Sequence, residues 1–236
     1  MRRTGKILTL LVLTGFALRG STSFAEHAQV TVFVYDDAQV PSDTLSRAEQ
    51  QAAKIFWRAG LDVIWLNCAP INAGPGTGTN KEIEGPGRLV LRIIPVAASS
   101  TSDTAFGVAF LAANGTGRYG DVFWERAQEL HARWNVDLGG ILGSVMAHEM
   151  GHLLLGSNAH AMSGIMRAHW ESGELRRIAM GTLFFLPEQA KRMRMKMGES
   201  RVYPVSSGRP RASQGSSREL AADAFPPTRG FAAQDQ

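Results

Sequence analysis

Three histidines and one glutamate lie within the thirteen residues HEMGHLLLGSNAH, from His148 to His160. If this stretch is helical, His148 and His152 lie one turn apart on the same face, because residues four positions apart are neighbours on a helix. Two imidazoles placed in this way can share one metal ion, and zinc suits imidazole ligands. The carboxylate of Glu149 can take a proton from a metal-activated water. The spacing H-E-x-x-H therefore indicates a hydrolytic zinc site.

A catalytic zinc site of this kind needs a third protein ligand, and His160 is the first candidate. It lies eight residues after His152 and beyond Gly156. Glycine lets a chain leave a helix with positive φ and turn back on itself, which would return His160 to the metal. Gly164 then offers a second turn, and Met166 can pack as a soft apolar floor under the ligands.

An acid on a later helix is the alternative third ligand, as in gluzincin-type enzymes. Glu171 and Glu174 lie nineteen and twenty-two residues after His152. The surrounding segment HWESGELRR can form a helix, but Gly164 and Gly173 interrupt it. These interruptions, and the role that the Met166 turn would then lose, favour His160 over either acid.

The stretch resembles the active site of the metzincin zinc endopeptidases, whose pattern is H-E-x-x-H-x-x-G-x-x-H followed by a turn that carries a methionine. The resemblance implies roles for six residues. These are the zinc ligands His148, His152 and His160, the general base Glu149, the turn glycine Gly156 and the Met-turn residue Met166. The glycine comes one residue later than in the pattern and the third histidine two residues later. The eighteen residues from the first ligand to the methionine equal the spacing of the matrixin branch.

The elements that must position this stretch can be predicted from hydrophobic periodicity and from turn residues. The sequence predicts strands at 28–36, 61–67, 88–95, 105–112 and 118–125, and helices at 44–60, 126–134, 137–156 and 186–197. Asp137 can cap the helix that carries the motif, and Gly156 can end it. This order predicts an α+β fold with a mixed, twisted sheet of about five strands, an active-site helix and a C-terminal helix. The metzincins share that order, and the resemblance implies a substrate-pairing edge strand at 105–112.

The N-terminus has the layout of a secretory signal peptide. A basic start, MRRTGK, precedes a short apolar run and the small residues before Glu26. We therefore predict a signal peptide at 1–25, a peptidase domain at 26–197 and a disordered tail at 198–236. The product would be secreted or periplasmic, without a stable membrane anchor.

The net charge gives no support for a nucleic-acid partner. The predicted signal peptide contains four of the 25 lysines and arginines and no acid, so 21 basic and 21 acidic residues remain. The single cysteine excludes an intrachain disulfide. We expect Trp57, Trp65 and Trp170 to serve in packing rather than in sugar binding, and we expect His169 either to be solvated or to stand near the cleft.

These observations together predict an exported zinc-dependent endopeptidase that acts on a peptide or protein substrate. Two alternatives remain open at this point. A related domain can bind zinc or peptides without cutting them, although the presence of Glu149 argues against a non-catalytic relative. A structural domain without a metal is the third possibility. The oligomeric state does not follow from the sequence.

Overall fold

Five strands form one mixed sheet in the computed structural model, which describes residues 27–69, 85, 87–97 and 105–202. The strands are β1 (Ala28–Asp36), β2 (Leu61–Cys68), β3 (Arg88–Ile94), β4 (Gly107–Phe110) and β5 (Tyr119–Phe123). Their order across the sheet is β2-β1-β3-β5-β4. The first four strands in this order are parallel, and β4 pairs antiparallel to β5 at the edge. The predicted fold class is confirmed.

Five helices accompany the sheet in the described part of the chain. They are α1 (Ser42–Arg58), α2 (Trp124–Trp134), α3 (Leu138–Leu155), α4 (Ser172–Ala179) and α5 (Pro187–Val202). The unit β1-α1-β2 joins two parallel strands, as its alternation of patterns predicted. Helices α1 and α3 pack together, and the main core lies between them and one face of the sheet.

The close approach of α3 to α1 depends on a glycine. A Cβ atom at Gly143 would lie 2.2 Å from the carbonyl oxygen of Ala48 on α1, which no side chain tolerates. Fifteen of the eighteen residues of α3 are buried. A helix buried on nearly all sides lies inside a core, so its two histidines and its glutamate are buried with it.

The main departure from the sequence prediction is α4, because the predicted elements include no helix at 172–179. The expectation that Gly173 interrupts this segment is wrong, because Gly173 sits in the first turn of the helix. A capping box starts the helix: the Glu171 side chain accepts from the N3 backbone, and the Glu174 side chain accepts from the Glu171 backbone. This cap outweighs the weak helix propensity of one glycine.

The ends of several elements also differ from the predictions. Strand β4 is only four residues long, against the eight predicted at 105–112. Helix α5 continues to Val202, five residues past its predicted end at 197. The predicted signal peptide at 1–25 and most of the predicted tail, 203–236, lie outside the described residues. Within the described ranges, every helix is too short or too polar to span a bilayer.

Candidate metal centre

Helix α3 holds three of the chemically active side chains in a buried setting. The exposed fractions of His148, Glu149 and His152 are 2%, 3% and 4%. At the start of the helix, the Asp137 side chain accepts a hydrogen bond from the Gly140 N–H at 2.7 Å, which satisfies one of the free backbone donors there. The predicted cap is confirmed, and the five residues from His148 to His152 all lie on α3.

The chain leaves α3 at Gly156, as the sequence predicted. Gly156 has a φ of 67° and donates its N–H to the carbonyl of His152 at 2.8 Å. This left-handed residue closes the last turn and sends the chain back towards the helix. The loop that follows is closed by a hydrogen bond from the Ala161 N–H to the Met166 carbonyl, 2.8 Å long. His160 therefore lies directly before a short loop, 161–166, that this hydrogen bond closes.

The return of the chain brings the three histidines together. Their candidate ligand atoms all lie within 4.8 Å of one another. The Nε2 atoms of His148 and His152 are 3.1 Å apart, and the His160 ring centroid lies 5.4 Å and 4.9 Å from those of the other two rings. His148 and His152 are buried, whereas His160 is exposed. The cluster is thus open to solvent on the side of the third imidazole.

The Nδ1 atoms of the two helical histidines are each hydrogen-bonded to a backbone carbonyl. The Nδ1 atom of His148 lies 2.7 Å from the Ile165 oxygen, and that of His152 lies 2.8 Å from the Ser157 oxygen. A carbonyl oxygen only accepts, so each Nδ1 carries the proton and each Nε2 presents its lone pair to the cluster. This is the arrangement that orients imidazole ligands in metal sites.

The site also keeps its imidazoles neutral. Burial, together with the neighbouring charge of His152, lowers the pKa of His148 to about 3. Burial is also the main cause of the lowered pKa of His152 and of His160. Since a metal competes with protons for the same lone pairs, neutral imidazoles at pH 7 favour metal binding.

Glu149 lies against the edge of the sheet. Burial, followed by the charge of Asp121, raises the pKa of Glu149 to about 8. A Cβ atom at Gly107 would lie 2.7 Å from the Glu149 Cγ, so β4 approaches this carboxyl at a position where only glycine fits. Asp121 is buried on β5 and forms a two-fold ion pair with Arg92, with N–O distances of 3.1 and 2.8 Å. The acid of the motif is therefore enclosed by β4, β5 and α3.

The predicted Met-turn residue is fully buried beneath the site. Met166 has no exposed surface, and a Cβ atom at Gly151 would lie 2.6 Å from the Met166 sulfur. Gly164 adopts a φ of 77° in the turn before it. The position agrees with an apolar floor under the helix, while the assignment as a Met-turn stays a prediction.

The two acids weighed as alternative ligands point into the cap of α4. The Glu174 carboxylate accepts from Arg167 at 2.8 Å and from the Glu171 N–H at 3.1 Å. Among the described residues, the group able to hold a metal contains His148, His152 and His160 and neither acid. The structure favours the three-histidine set.

Several residues of the site were not found from the sequence. Asp121 is one, although a lone acid inside the apolar run YGDVF was a usable signal. Phe106 and Trp170 are others: their ring centroids are 4.4 Å apart, and each lies 5.9 Å from that of His148. Trp170 is 6% exposed, in agreement with the expected role in packing. Trp57 is 58% exposed.

Comparison with known proteins gives distant structural likenesses only. No protein-family model and no curated protein matches this sequence. A zinc-dependent peptidase from Methanocorpusculum labreanum is 14% identical, with a TM-score of 0.49, over 69% of this chain and 99% of that one. An archaemetzincin from Methanopyrus kandleri is 16% identical, with a TM-score of 0.43, over 75% of this chain and 99% of that one. Both TM-scores are below 0.5, so these likenesses assign neither an activity nor a metal to this chain.

Proposed function

We propose that this chain is an exported zinc-dependent endopeptidase, with His148, His152 and His160 as the metal ligands. One observation carries the proposal: two buried Nε2 lone pairs face each other at 3.1 Å, with a third imidazole beside them. Two lone pairs this close repel each other unless a cation lies between them. The separation is near the roughly 3.3 Å expected for two nitrogens in a tetrahedral zinc site with Zn–N bonds of about 2.0–2.1 Å.

The donor set fits zinc better than the hard cations. Three neutral imidazoles without a carboxylate suit zinc, whereas calcium and magnesium prefer oxygen ligands. Three protein ligands also leave a fourth position free for water or substrate, as catalytic zinc sites require. His160 is exposed, so the cluster is open to solvent on that side.

The reaction depends on the carboxyl of Glu149. When bound, zinc supplies Lewis acidity that acidifies a water molecule and polarises a peptide carbonyl. Glu149 takes the proton of the attacking water and delivers it to the nitrogen of the leaving amine. Burial and the charge of Asp121 raise the pKa of this carboxyl to about 8. A cation on the adjacent histidines favours the charged form and so prepares Glu149 to act as a base.

The edge strand β4 supports a peptide substrate. It is the last strand of the described sheet, and its outer side has no neighbouring strand there. An extended peptide can add to such an edge through backbone hydrogen bonds. Because Gly107 lies against Glu149, a peptide added along β4 would pass beside the proton-transferring carboxyl.

The substitution Glu149→Gln tests the proposal. We expect the variant to keep one zinc per chain and to lose cleavage of a synthetic peptide library by a factor of about 10² to 10⁴, the usual contribution of a general base. Glu129→Gln, which changes a half-exposed acid on α2, is the matched control and should keep full activity.

Three results would count against parts of this proposal. Wild-type protein without zinc after reconstitution would exclude the metal site. Zinc without cleavage in the wild type would favour a binding domain. Undiminished activity in the Glu149→Gln variant would exclude the mechanism.

Export is part of the proposal and has a separate test. The basic and apolar start of the chain is typical of a signal peptide. We expect mature protein recovered from outside the cytoplasm to begin at Glu26, as determined by mass spectrometry of its N-terminus. Full-length protein confined to the cytoplasm would contradict it.

A further inference from the structure

One backbone carbonyl beside the metal centre accepts hydrogen bonds from two side chains. The Ile165 oxygen lies 2.7 Å from the His148 Nδ1 and 3.3 Å from the Trp170 Nε1. We propose that Trp170 is a positioning residue for the metal ligand His148, acting through this carbonyl. The inference rests on the proposed zinc site and gives Trp170 a role beyond packing.

The two helical ligands differ in how their partner carbonyls are held. His152 uses the Ser157 carbonyl, five residues away and directly after the turn that ends α3. His148 uses a carbonyl seventeen residues away, on a different part of the chain. Local chain geometry places the first carbonyl, whereas only tertiary contacts can place the second.

Two hydrogen bonds, one on each side of its Cα atom, hold the backbone of Ile165 in place. Its N–H donates to the Phe184 carbonyl at 3.0 Å, and its carbonyl accepts from the Trp170 indole. The carbonyl oxygen has two lone pairs, so it can accept from both the indole and the imidazole. The indole therefore fixes the direction of the carbonyl that in turn orients the His148 ring.

Ring packing adds to this restraint. The planes of His148 and Trp170 are tilted by 79°, and those of His148 and Phe106 by 80°, so the imidazole meets two aromatic neighbours nearly edge to face. Trp170 and Phe106 are 6% and 7% exposed. The imidazole can neither rotate nor shift without displacing one of these rings, because buried side chains are closely packed.

Trp170 is itself anchored by the start of α4. The next residue, Glu171, is the N-cap of that helix, and its N–H is held by the Glu174 carboxylate. Arg167 binds the same carboxylate at 2.8 Å. The hydrogen bonds at the cap of α4 thus hold residues 167–174 together and place the Trp170 indole beside His148.

The substitution Trp170→Phe separates the indole hydrogen bond from the packing, because phenylalanine keeps an aromatic ring and lacks the N–H. The matched control is Trp65→Phe. Trp65 lies on β2, at the opposite edge of the sheet from β4, and its buried Nε1 has no hydrogen-bond partner among the described residues. Zinc affinity is measured by competition with a chelator, and the ligand geometry by the visible spectrum of the cobalt(II)-substituted protein.

We expect Trp170→Phe to weaken zinc binding about tenfold, the lower range for loss of a residue that supports a metal ligand. We also expect a shifted cobalt spectrum. Trp65→Phe should change neither quantity. Equal zinc affinity and an unchanged spectrum in Trp170→Phe would overturn the inference while leaving the zinc site intact. Absence of zinc binding in the wild type would instead overturn the proposed function.

A second measurement applies if Trp170→Phe does not fold. In wild-type protein labelled with ¹⁵N at the indole nitrogens, zinc loading should shift the Trp170 signal and leave the Trp65 signal in place. The reason is that zinc polarises His148 and strengthens its bond to the shared carbonyl. An unmoved Trp170 signal would overturn the inference.

Discussion

The metal centre joins two regions that are built in different ways. Helix α3 supplies His148 and His152 from a buried position, and each ring is held by a carbonyl at 2.7 to 2.8 Å. The loop after Gly156 supplies His160, which is exposed and lies in a stretch without regular secondary structure. One region is shaped by burial and helix geometry, and the other by a turn and a few backbone hydrogen bonds.

The positions of the histidines in the two regions therefore depend on the metal to different degrees. The buried histidines are part of the core, so their positions depend on packing that exists without a cation. His160 has less packing around it, and its position in the cluster depends more on the metal itself. Removal of a helical ligand and removal of the loop ligand should therefore have the same effect on binding and different effects on folding.

The largest expected effect is the loss of zinc on substitution of a ligand. His148→Ala and His160→Ala should each weaken zinc binding by more than about a hundredfold, beyond the usual cost of losing a supporting residue. In the presence of a chelator, His148→Ala should lower the free energy of unfolding by about 1–3 kcal/mol, because it removes a buried, hydrogen-bonded ring. His160→Ala should change it by less than about 0.5 kcal/mol.

Zinc titration and urea denaturation of the metal-free proteins measure these two quantities. Equal losses of metal-free stability would show that the loop is as well packed as the helix. Full zinc binding by His160→Ala would exclude it as the third ligand.

A smaller effect is expected at the turn between the two regions. Gly156→Ala places a side chain at a φ of 67°, where its Cβ would lie 2.6 Å from the Gly115 oxygen. We expect a loss of about 1–2 kcal/mol from the left-handed backbone, with a further loss from the contact, and weaker zinc binding as His160 is displaced. Urea denaturation measures the loss of stability, and zinc titration measures the change in zinc binding.

The control for this substitution is Gly173→Ala in α4. Beyond its own helix and chain neighbours, no atom of the described residues lies within 4 Å of its Cβ position, so this change should leave zinc binding intact and stabilise the helix by up to about 1 kcal/mol. Similar behaviour of the two glycine variants would mean that the turn does not position the loop ligand.

The smallest expected effect concerns the acids of α4. Glu174→Ala removes the contacts to Arg167 and to the Glu171 N–H, and should lower the free energy of unfolding by about 1 kcal/mol, as for the loss of a helix cap. Zinc affinity should not change by more than the roughly tenfold expected for Trp170→Phe. If Glu174→Ala lost zinc completely and His160→Ala kept it, Glu174 and not His160 would be the third ligand.

Much of the fold could be predicted from local patterns. Strand β1 was predicted with its observed bounds, and α3 to within one residue at each end, since alternation, caps and a terminal glycine mark these elements in the sequence. Helix α4 was missed because eight residues carry too short a pattern, and because its capping box outweighs Gly173. Strand β4 was predicted too long, because pairing with β5 ends at Phe110 and apolarity continues beyond it.

The sequence by itself determined the chemistry that is available. The types and spacing of His148, Glu149 and His152 place two imidazoles and a carboxyl on one helix, because helix geometry depends only on positions close in the chain. Only the tertiary structure decided which groups surround them. The Ile165 carbonyl, Asp121 and Trp170 reach this helix from distant parts of the chain, and such contacts depend on how the sheet, the loop and α4 pack together. Local sequence patterns do not determine that packing.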